Sequence, residues 1–258
     1  MKTLCLFILL SLTFSHNTIF AQFTDLKSAD EWIEAYYHDS IGMGTDMERW
    51  EDNLEKGYAE FREGLKKILV MPGAFEYAFE VATGKREAHL QLFSSFDLLN
   101  DPIGDFRVFS WVTYRDSETL VQFPGKEEGA PPIVQDLEEH WNDGHSLQWM
   151  HVTALHHLPA KEKDIYLMTG RCWFGGNHFS GAIAAYTLEN QRLVPASVFH
   201  HKDKQQSFLL APSHSIRFNE ANRTFDLYED NPLYDPESDE GEYKSTRMIW
   251  LGNHFRAK

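Results

Sequence analysis

The sequence predicts an α+β protein, in which N-terminal helices pack on an antiparallel β-meander that is sandwich-like or partly propeller-like. Apolar residues recur at steps of three and four between residues 47 and 68, which is the period of an amphipathic helix. After residue 73 the apolar period becomes two, as in strands with one buried face. No long helical pattern separates the strand candidates, so parallel βαβ units are disfavoured.

The N-terminus is typical of a signal peptide covering residues 1–21. Lys2 precedes an apolar run, Leu4–Phe14, that is too short to span a bilayer as a helix. Cleavage after Ala21 fits this pattern, and an uncleaved apolar anchor is the alternative. We therefore expect a protein exported to the periplasm or the cell exterior, without a membrane-spanning segment after cleavage.

Residues 22–72 are predicted to form a helical layer. The segments SADE (28–31) and TDME (45–48) both have the spacing of a capping box, which marks a helix N-terminus. The second segment precedes the longer amphipathic pattern. The Pro-Gly pair at 72–73 is expected to end that helix.

Residues 73–258 are predicted to form an antiparallel β-rich body, compact with the helical layer. Alternating residues at 75–81 and 88–92 predict a first hairpin. Asparagine-containing turns at 189–191 and 219–222 predict two further hairpins, and exposed loops are expected near residues 125 and 235. The remaining strand candidates are FRVFSWVTY (106–114), TLVQF (119–123), SLQWMHVTAL (146–155), DIYLMTGRC (164–172), GAIAAYTL (181–188), RLVPASVF (192–199), SFLLAP (207–212), SIRF (215–218), TFDLYE (224–229) and TRMIWL (246–251).

The charge balance excludes two classes of partner. The formal net charge is −15 at pH 7, and the basic residues are dispersed among acids. Nucleic acids and anionic membrane surfaces require clustered Lys and Arg, so neither is expected as a partner. Cys172 is the one cysteine left after signal cleavage, which excludes an internal disulfide. GRCWFGG locally resembles a papain-type nucleophile, but we predict a structural thiol.

The segment 138–157, EEHWNDGHSLQWMHVTALHH, carries five histidines. Strand alternation would place His151, Leu155 and His157 on one face, and Met150 and Val152 on the other. His151 and His157 would then be roughly 20 Å apart, which is too far for both to bind one zinc ion. We predict neither a metal site nor a cofactor, and we expect surface and strand-packing histidines.

A site built from the preceding loop is the alternative interpretation. The candidates for a catalytic role are His140, His145 and His151, although no HExxH spacing supports zinc binding. The acidic loop 230–242 does not have the order of an EF-hand, so we expect a solvated loop rather than a calcium site.

Tryptophans are the candidates for ligand binding. Trp111, Trp149 and Trp173 lie in or beside predicted strands, where most tryptophans belong to the core. If some line an exposed face, they would form a surface for a carbohydrate or a peptide, because aromatic rings offer stacking area at a low entropic cost.

Two segments carry a resemblance, DFRVFSWVTY (105–114) and TGRCWFGGNHFSGAIAAYTLENQRLV (169–194). They resemble an uncharacterised family of exported, β-rich bacterial proteins with a domain of unknown function. The resemblance implies export and a β-rich body, and it carries over no activity and no functional residue.

The leading hypothesis is an exported, non-catalytic protein that binds a small-molecule, glycan or protein ligand through a β-sheet face or acidic loops. The alternative is a secreted or periplasmic hydrolase with a histidine-containing site, with or without zinc. An enzyme requires polar side chains that converge in a concave pocket, whereas a binding protein requires an exposed aromatic patch.

Overall fold

The structure is a computed structural model that describes residues 25–41, 50–79, 96–112, 117–137, 150–173, 179–201, 204–212, 216–228 and 245–258. The predicted signal peptide, the capping spacing at 45–48, the hairpin beyond residue 79 and the acidic loop near residue 235 lie outside these ranges.

Helix α1 spans Leu26–Ile41 and helix α2 spans Trp50–Leu69. Asp25, rather than the predicted Ser28, is the N-cap of α1. The Ser28 backbone N–H donates to Asp25 Oδ1 at 2.8 Å, and the Ser28 hydroxyl accepts from the Asp25 N–H at 3.4 Å. This reciprocal pair is a capping box placed three residues earlier than the predicted one. The hydrogen bond from Ser28 holds the pKa of Asp25 below its ordinary value.

The segment after α2 turns instead of forming the predicted strand at 75–79. Gly73 has a φ of 78°, and the Tyr77 N–H donates to the Gly73 carbonyl at 3.1 Å. The buried Arg107 guanidinium donates to the carbonyls of Ala74, Phe75 and Tyr77, and so holds this turn in place. A distant arginine therefore takes up the backbone acceptors that a neighbouring strand would have used.

Fourteen strands lie within the described ranges. They are β1 Phe96–Asn100, β2 Arg107–Val112, β3 Ser117–Phe123, β4 Ile133–Asp136, β5 Met150–Leu158, β6 Ile165–Trp173, β7 Phe179–Leu188, β8 Leu193–Pro195, β9 Phe199–His201, β10 Lys204–Gln206, β11 Phe208–Pro212, β12 Thr224–Tyr228, β13 Ser245–Trp250 and β14 Phe255–Ala257.

These strands form three sheets. Sheet A has the order β1-β2-β3-β4, sheet B has β11-β7-β6-β5 with β8 paired to β7, and sheet C has β10-β9-β14-β13-β12. All pairs are antiparallel except β14 with β9. The prediction of an antiparallel, β-rich body is confirmed, while a simple meander describes sheet A alone.

The strand candidates differ from the structure in six places. β1, β4, β10 and β14 were not predicted, because each is short or lacks clear alternation. The candidate at 192–199 is divided between β8 and β9. The candidate at 215–218 is not a strand, although Asn219 and Thr224 form the bridge that closes the predicted turn.

Alternating residues supply three hydrophobic cores. On one side of sheet A, Phe61 of α2 packs edge to face on Trp111 at 5.6 Å between ring centroids. On the other side, Phe106 packs on Tyr166 of sheet B at 5.0 Å. A third core lies between sheets B and C and includes Phe199.

Candidate functional site

Several of the candidate residues fall outside the described part of the chain. His140, His145 and Trp149 are in this group. Trp173 is the last residue of β6 and pairs in register with Phe179, but its side chain is not described. Their predicted roles stay predictions.

Trp111 is a core residue and cannot offer a ligand-binding surface. Its relative exposure is 0%, and its ring lies within 6.0 Å of the Phe96 ring and 5.6 Å of the Phe61 ring, measured between centroids. The prediction for this residue is wrong, because α2 covers the face of sheet A on which Trp111 lies.

A β-bulge in β5 moves the side chains that follow it to the face opposite to the predicted one. The pairing of β5 with β6 shifts register between Val152 and Ala154. Met150, Val152 and Leu155 therefore pack in the same core, although uninterrupted alternation places Leu155 on the opposite face. One extra residue reverses the phase of every side chain that follows it, so His151 and His157 do not share a face.

Three histidines of β5, which we call the β5 histidines, each contact a different carboxylate. Three separate parts of the chain supply these carboxylates, so the β5 histidines do not form one common site. The pairs are His151 Nε2 with Asp97 Oδ2 at 2.6 Å, His156 Nδ1 with Glu220 Oε1 at 2.7 Å, and His157 Nε2 with Asp164 Oδ2 at 2.9 Å.

His157 belongs to the most elaborate of these groups. Its ring packs on the Tyr166 ring at 5.4 Å, and the Tyr166 hydroxyl donates to Asp105 Oδ2 at 3.0 Å. Asp101 is only 4% exposed; its Oδ2 accepts the Asp105 N–H at 3.0 Å, whereas its Oδ1 has no hydrogen-bond partner.

The surroundings of this group shift the pKa values of Asp101, Tyr166 and Asp164. Burial raises the pKa of Asp101, because the charged carboxylate is poorly solvated. Burial, with the adjacent Asp105, also raises the pKa of Tyr166. The hydrogen bond with His157 lowers the pKa of Asp164.

The chemistry open to this group is limited. A carboxylate that orients an imidazole is part of a general-base arrangement. Among the described residues, however, no serine, threonine or cysteine side chain hydrogen-bonds to His157. The described part of the chain also contains no group of three His, Cys, Asp or Glu residues suited to hold a metal ion.

Cys172 has the properties of the predicted structural thiol. It is 2% exposed, and burial raises its pKa to about 12. The thiol therefore stays protonated at neutral pH, which makes it a poor nucleophile.

A second polar region lies on the outer face of sheet C, the face turned away from sheet B. Phe199, Met248 and Phe255 point into the core shared with sheet B, so their neighbours along the strands point outward. Strand registers align one outward residue from each strand into a row across the sheet. This row, which we call the outer row, consists of Gln205, His200, Arg256, Ile249 and Thr224.

Two histidines stack on this face. The rings of His200 and His254 are 4.3 Å apart between centroids and inclined by 22°. His254 Nδ1 lies 2.6 Å from Asn253 Oδ1, whereas His200 Nε2 is shielded from solvent without a hydrogen-bond partner. A shielded polar atom of this kind costs about 1–3 kcal/mol when it has no partner.

Among the described residues, the charges around the stacked pair are mainly positive. Burial, with His200 and Arg256 nearby, lowers the pKa of His254. Arg256 is exposed and forms no salt bridge with a described residue. The carboxylate of Asp226 is on the same face, but Arg247 holds it at 2.8 and 3.1 Å and lowers its pKa.

Sequence reasoning did not predict this region. The available signals were FHH at 199–201 and NHFRA at 253–257. Both are short, and His200 meets His254 only because β9 pairs in parallel with the distant β14.

Comparisons of the chain with protein-family models, curated proteins and solved structures find no match. Within the described ranges, no helix has the length and apolar character needed to cross a membrane.

Proposed function

We propose that this is an exported, non-catalytic protein that binds a small-molecule, glycan or protein ligand on the outer face of sheet C. The stacked His200–His254 pair beside Arg256 carries the proposal, because these groups offer hydrogen-bond donors that no described carboxylate occupies. The signal-like N-terminus and the resemblance to exported β-rich proteins support the export part of the proposal.

The exposure of the outer row also supports a recognition surface. Arg256 and Gln205 are exposed, and His200, Ile249 and Thr224 are half-buried. The row therefore combines accessible polar groups with one apolar side chain, and β-sheet pairing holds its members at fixed spacing. A rigid surface binds at a lower entropic cost than a surface that must order on contact.

The β5 histidines offer less to a ligand, because each already contacts a carboxylate. A ligand that used them would have to displace an existing partner. Such a replacement gains little free energy, because the new contact must first offset the lost hydrogen bond to the carboxylate.

A ligand panel tests the proposal. The mature protein would be tested by thermal shift with glycans, sugar acids, amino acids and short peptides, and each ligand found would be tested again with Arg256→Gln. Lys126→Gln, in an exposed loop, is the matched control because it removes the same charge elsewhere. The proposal predicts that Arg256→Gln weakens binding and that Lys126→Gln does not. Ligands that bind both variants equally would contradict it.

A hydrolase is the second candidate function, and the oriented His157–Asp164 pair is the observation that favours it. With no described hydroxyl or thiol bonded to His157, the nucleophile would be a water molecule activated by its free Nδ1. Turnover of chromogenic esters or glycosides that is lost in His157→Gln would support this candidate. Turnover that survives the substitution would exclude His157 as the base.

We further propose the finer α+β class for the fold, with the helices as one layer on a stack of sheets. The contacts of Phe61 with Trp111 support this arrangement. It is also supported by the salt bridges that Arg62 of α2 forms with Glu118 and Asp136 of sheet A. If breaking these contacts unfolds α2 while the sheets stay folded, the helices and the sheets do not form a single cooperative unit.

A further inference from the structure

We propose that the outer face of sheet C binds an oxyanion, namely a carboxylate, sulfate or phosphate group of the ligand, between the stacked histidines and Arg256. This inference rests on the proposed function and names the chemical class that the site takes. The centre of the site is the His200–His254 stack, with ring centroids 4.3 Å apart, and Arg256 is beside His200 in the strand register.

The donors of this site suit an oxyanion. A guanidinium group donates two parallel hydrogen bonds to a carboxylate or phosphate, and imidazole N–H groups donate one each. The bond to Asn253 uses Nδ1 of His254 and leaves its Nε2 for a ligand. His200 Nε2 has no partner but is shielded from solvent, so it would reach a ligand only if the stacked rings shift. Gln205 contributes less, because its amide already donates to the Ser197 carbonyl at 2.6 Å.

The charge of the surrounding face favours an anion over a cation. The described charged side chains on this face come from β12, β13, β14 and the C-terminal residue, and β10 contributes only the neutral Gln205. Asp226 supplies the one side-chain carboxylate among them, and it is paired with Arg247. The charged residues are Asp226, Arg247, Arg256 and Lys258. The positive side chains on this face would counter the repulsion that a chain with net charge −15 exerts on an anion.

Anion binding at the stacked pair would also be coupled to the uptake of protons. In the free protein, burial, together with the nearby His200 and Arg256, opposes protonation of His254 and lowers its pKa. A bound oxyanion would offset these effects and favour the imidazolium form of His254, which donates from both ring nitrogens. Binding would therefore take up protons, and the affinity for the anion would rise as the pH falls through the histidine range.

Histidine-observed NMR tests the inference with defined probes. Sodium sulfate, sodium phosphate and sodium acetate would be titrated separately into the full mature protein, with EDTA present to remove metal ions and with chloride at matched ionic strength. We expect the imidazole signals of His200 and His254 to shift in a saturable manner with at least one oxyanion and not with chloride. The affinity should be higher at about pH 6 than at about pH 8.

Variants link the binding to these residues. Arg256→Gln and His200→Gln should each weaken the affinity by about tenfold, whereas Lys126→Gln should leave it unchanged. Amide spectra of the variants establish that the fold is intact. Comparison of sulfate and phosphate with acetate separates a tetrahedral oxyanion from a carboxylate. Saturable binding that is equal in all variants, or shifts that chloride reproduces, would overturn the inference.

The results also separate this inference from the proposed function. If no oxyanion binds but a ligand from the panel loses affinity in Arg256→Gln, the oxyanion assignment is wrong and the binding face stands. If neither oxyanions nor panel ligands depend on Arg256, both proposals fail.

Discussion

The histidines of β5 and those of sheet C have opposite electrostatic surroundings. Each β5 histidine lies within hydrogen-bond distance of a carboxylate, at 2.6 to 2.9 Å. His200 and His254 instead face each other, with Arg256 beside them. A carboxylate accepts a hydrogen bond from an imidazole within the fold, whereas a second imidazole and an arginine leave the hydrogen-bond donors of the imidazole available.

This difference separates a stabilising role from a binding role. His151 is 6% exposed and joins β5 to β1 of another sheet through Asp97. His200 lies in the outer row, His254 lies just before β14, both are half-buried, and the described contacts of this pair stay within sheet C. We therefore expect substitutions in the β5 group to affect stability most, and substitutions in the sheet C pair to affect binding most.

The largest expected effect is that of His151→Ala. This substitution removes a buried ring and its bond to Asp97, so the free energy of unfolding should fall by about 2 kcal/mol. Urea denaturation measures this loss, with His200→Ala as the matched comparison, for which we expect about 1 kcal/mol or less. An equal loss in both variants would remove the distinction between the two regions.

Tyr166→Phe should have the next largest effect. The substitution keeps the ring packing on Phe106 and His157 but removes the hydroxyl that donates to Asp105. We expect a loss of about 1 kcal/mol in urea denaturation. In a double-mutant cycle with Asp105→Asn, the two effects should not add; additive effects would show that the hydrogen bond contributes little.

Asp101→Asn should produce a smaller change of opposite sign. The folded-state pKa of Asp101 is raised, so its charged form costs stability, and this cost develops as the pH rises from the unfolded value through the folded one. An asparagine oxygen still accepts the Asp105 N–H without a buried charge. We expect a gain of less than about 1 kcal/mol at neutral pH, which disappears in acid. Destabilisation at neutral pH would show that the ionised carboxylate is required.

The smallest effect is the pH dependence due to His254. Its folded-state pKa is below the ordinary value of 6.5, so its contribution to stability is complete above that pH and is lost as the pH falls through the folded pKa. The unfolding free energy of His254→Gln should therefore depend less on pH in this window than that of the unsubstituted protein. Identical pH profiles for the two proteins, measured by urea denaturation, would contradict a perturbed His254.

Local patterns predicted much of the fold. Strand β2 falls within its predicted segment, and β3, β6 and β7 overlap theirs but extend one or two residues beyond one end. Each alternates apolar residues over several positions. The turn at 189–191 was predicted from its asparagine, and Asn190 and Gln191 have φ values of 51° and 58°, as a tight hairpin turn requires.

The candidate site was less predictable, for two physical reasons. The face on which each β5 side chain lies depends on one inserted residue near Thr153. The alternation of apolar and polar residues alone cannot locate such a bulge. The partners of a histidine depend on which strands pair, and His254 meets His200 through a parallel pairing that no local motif marks.

The sequence by itself determined an acidic chain with a helical N-terminal part and a β-rich remainder, because composition and apolar periodicity are local properties. Only the tertiary structure decided which histidines meet carboxylates and which meet each other. Strand pairing brings together side chains that are far apart in the sequence, and the electrostatic character of each histidine follows from those neighbours.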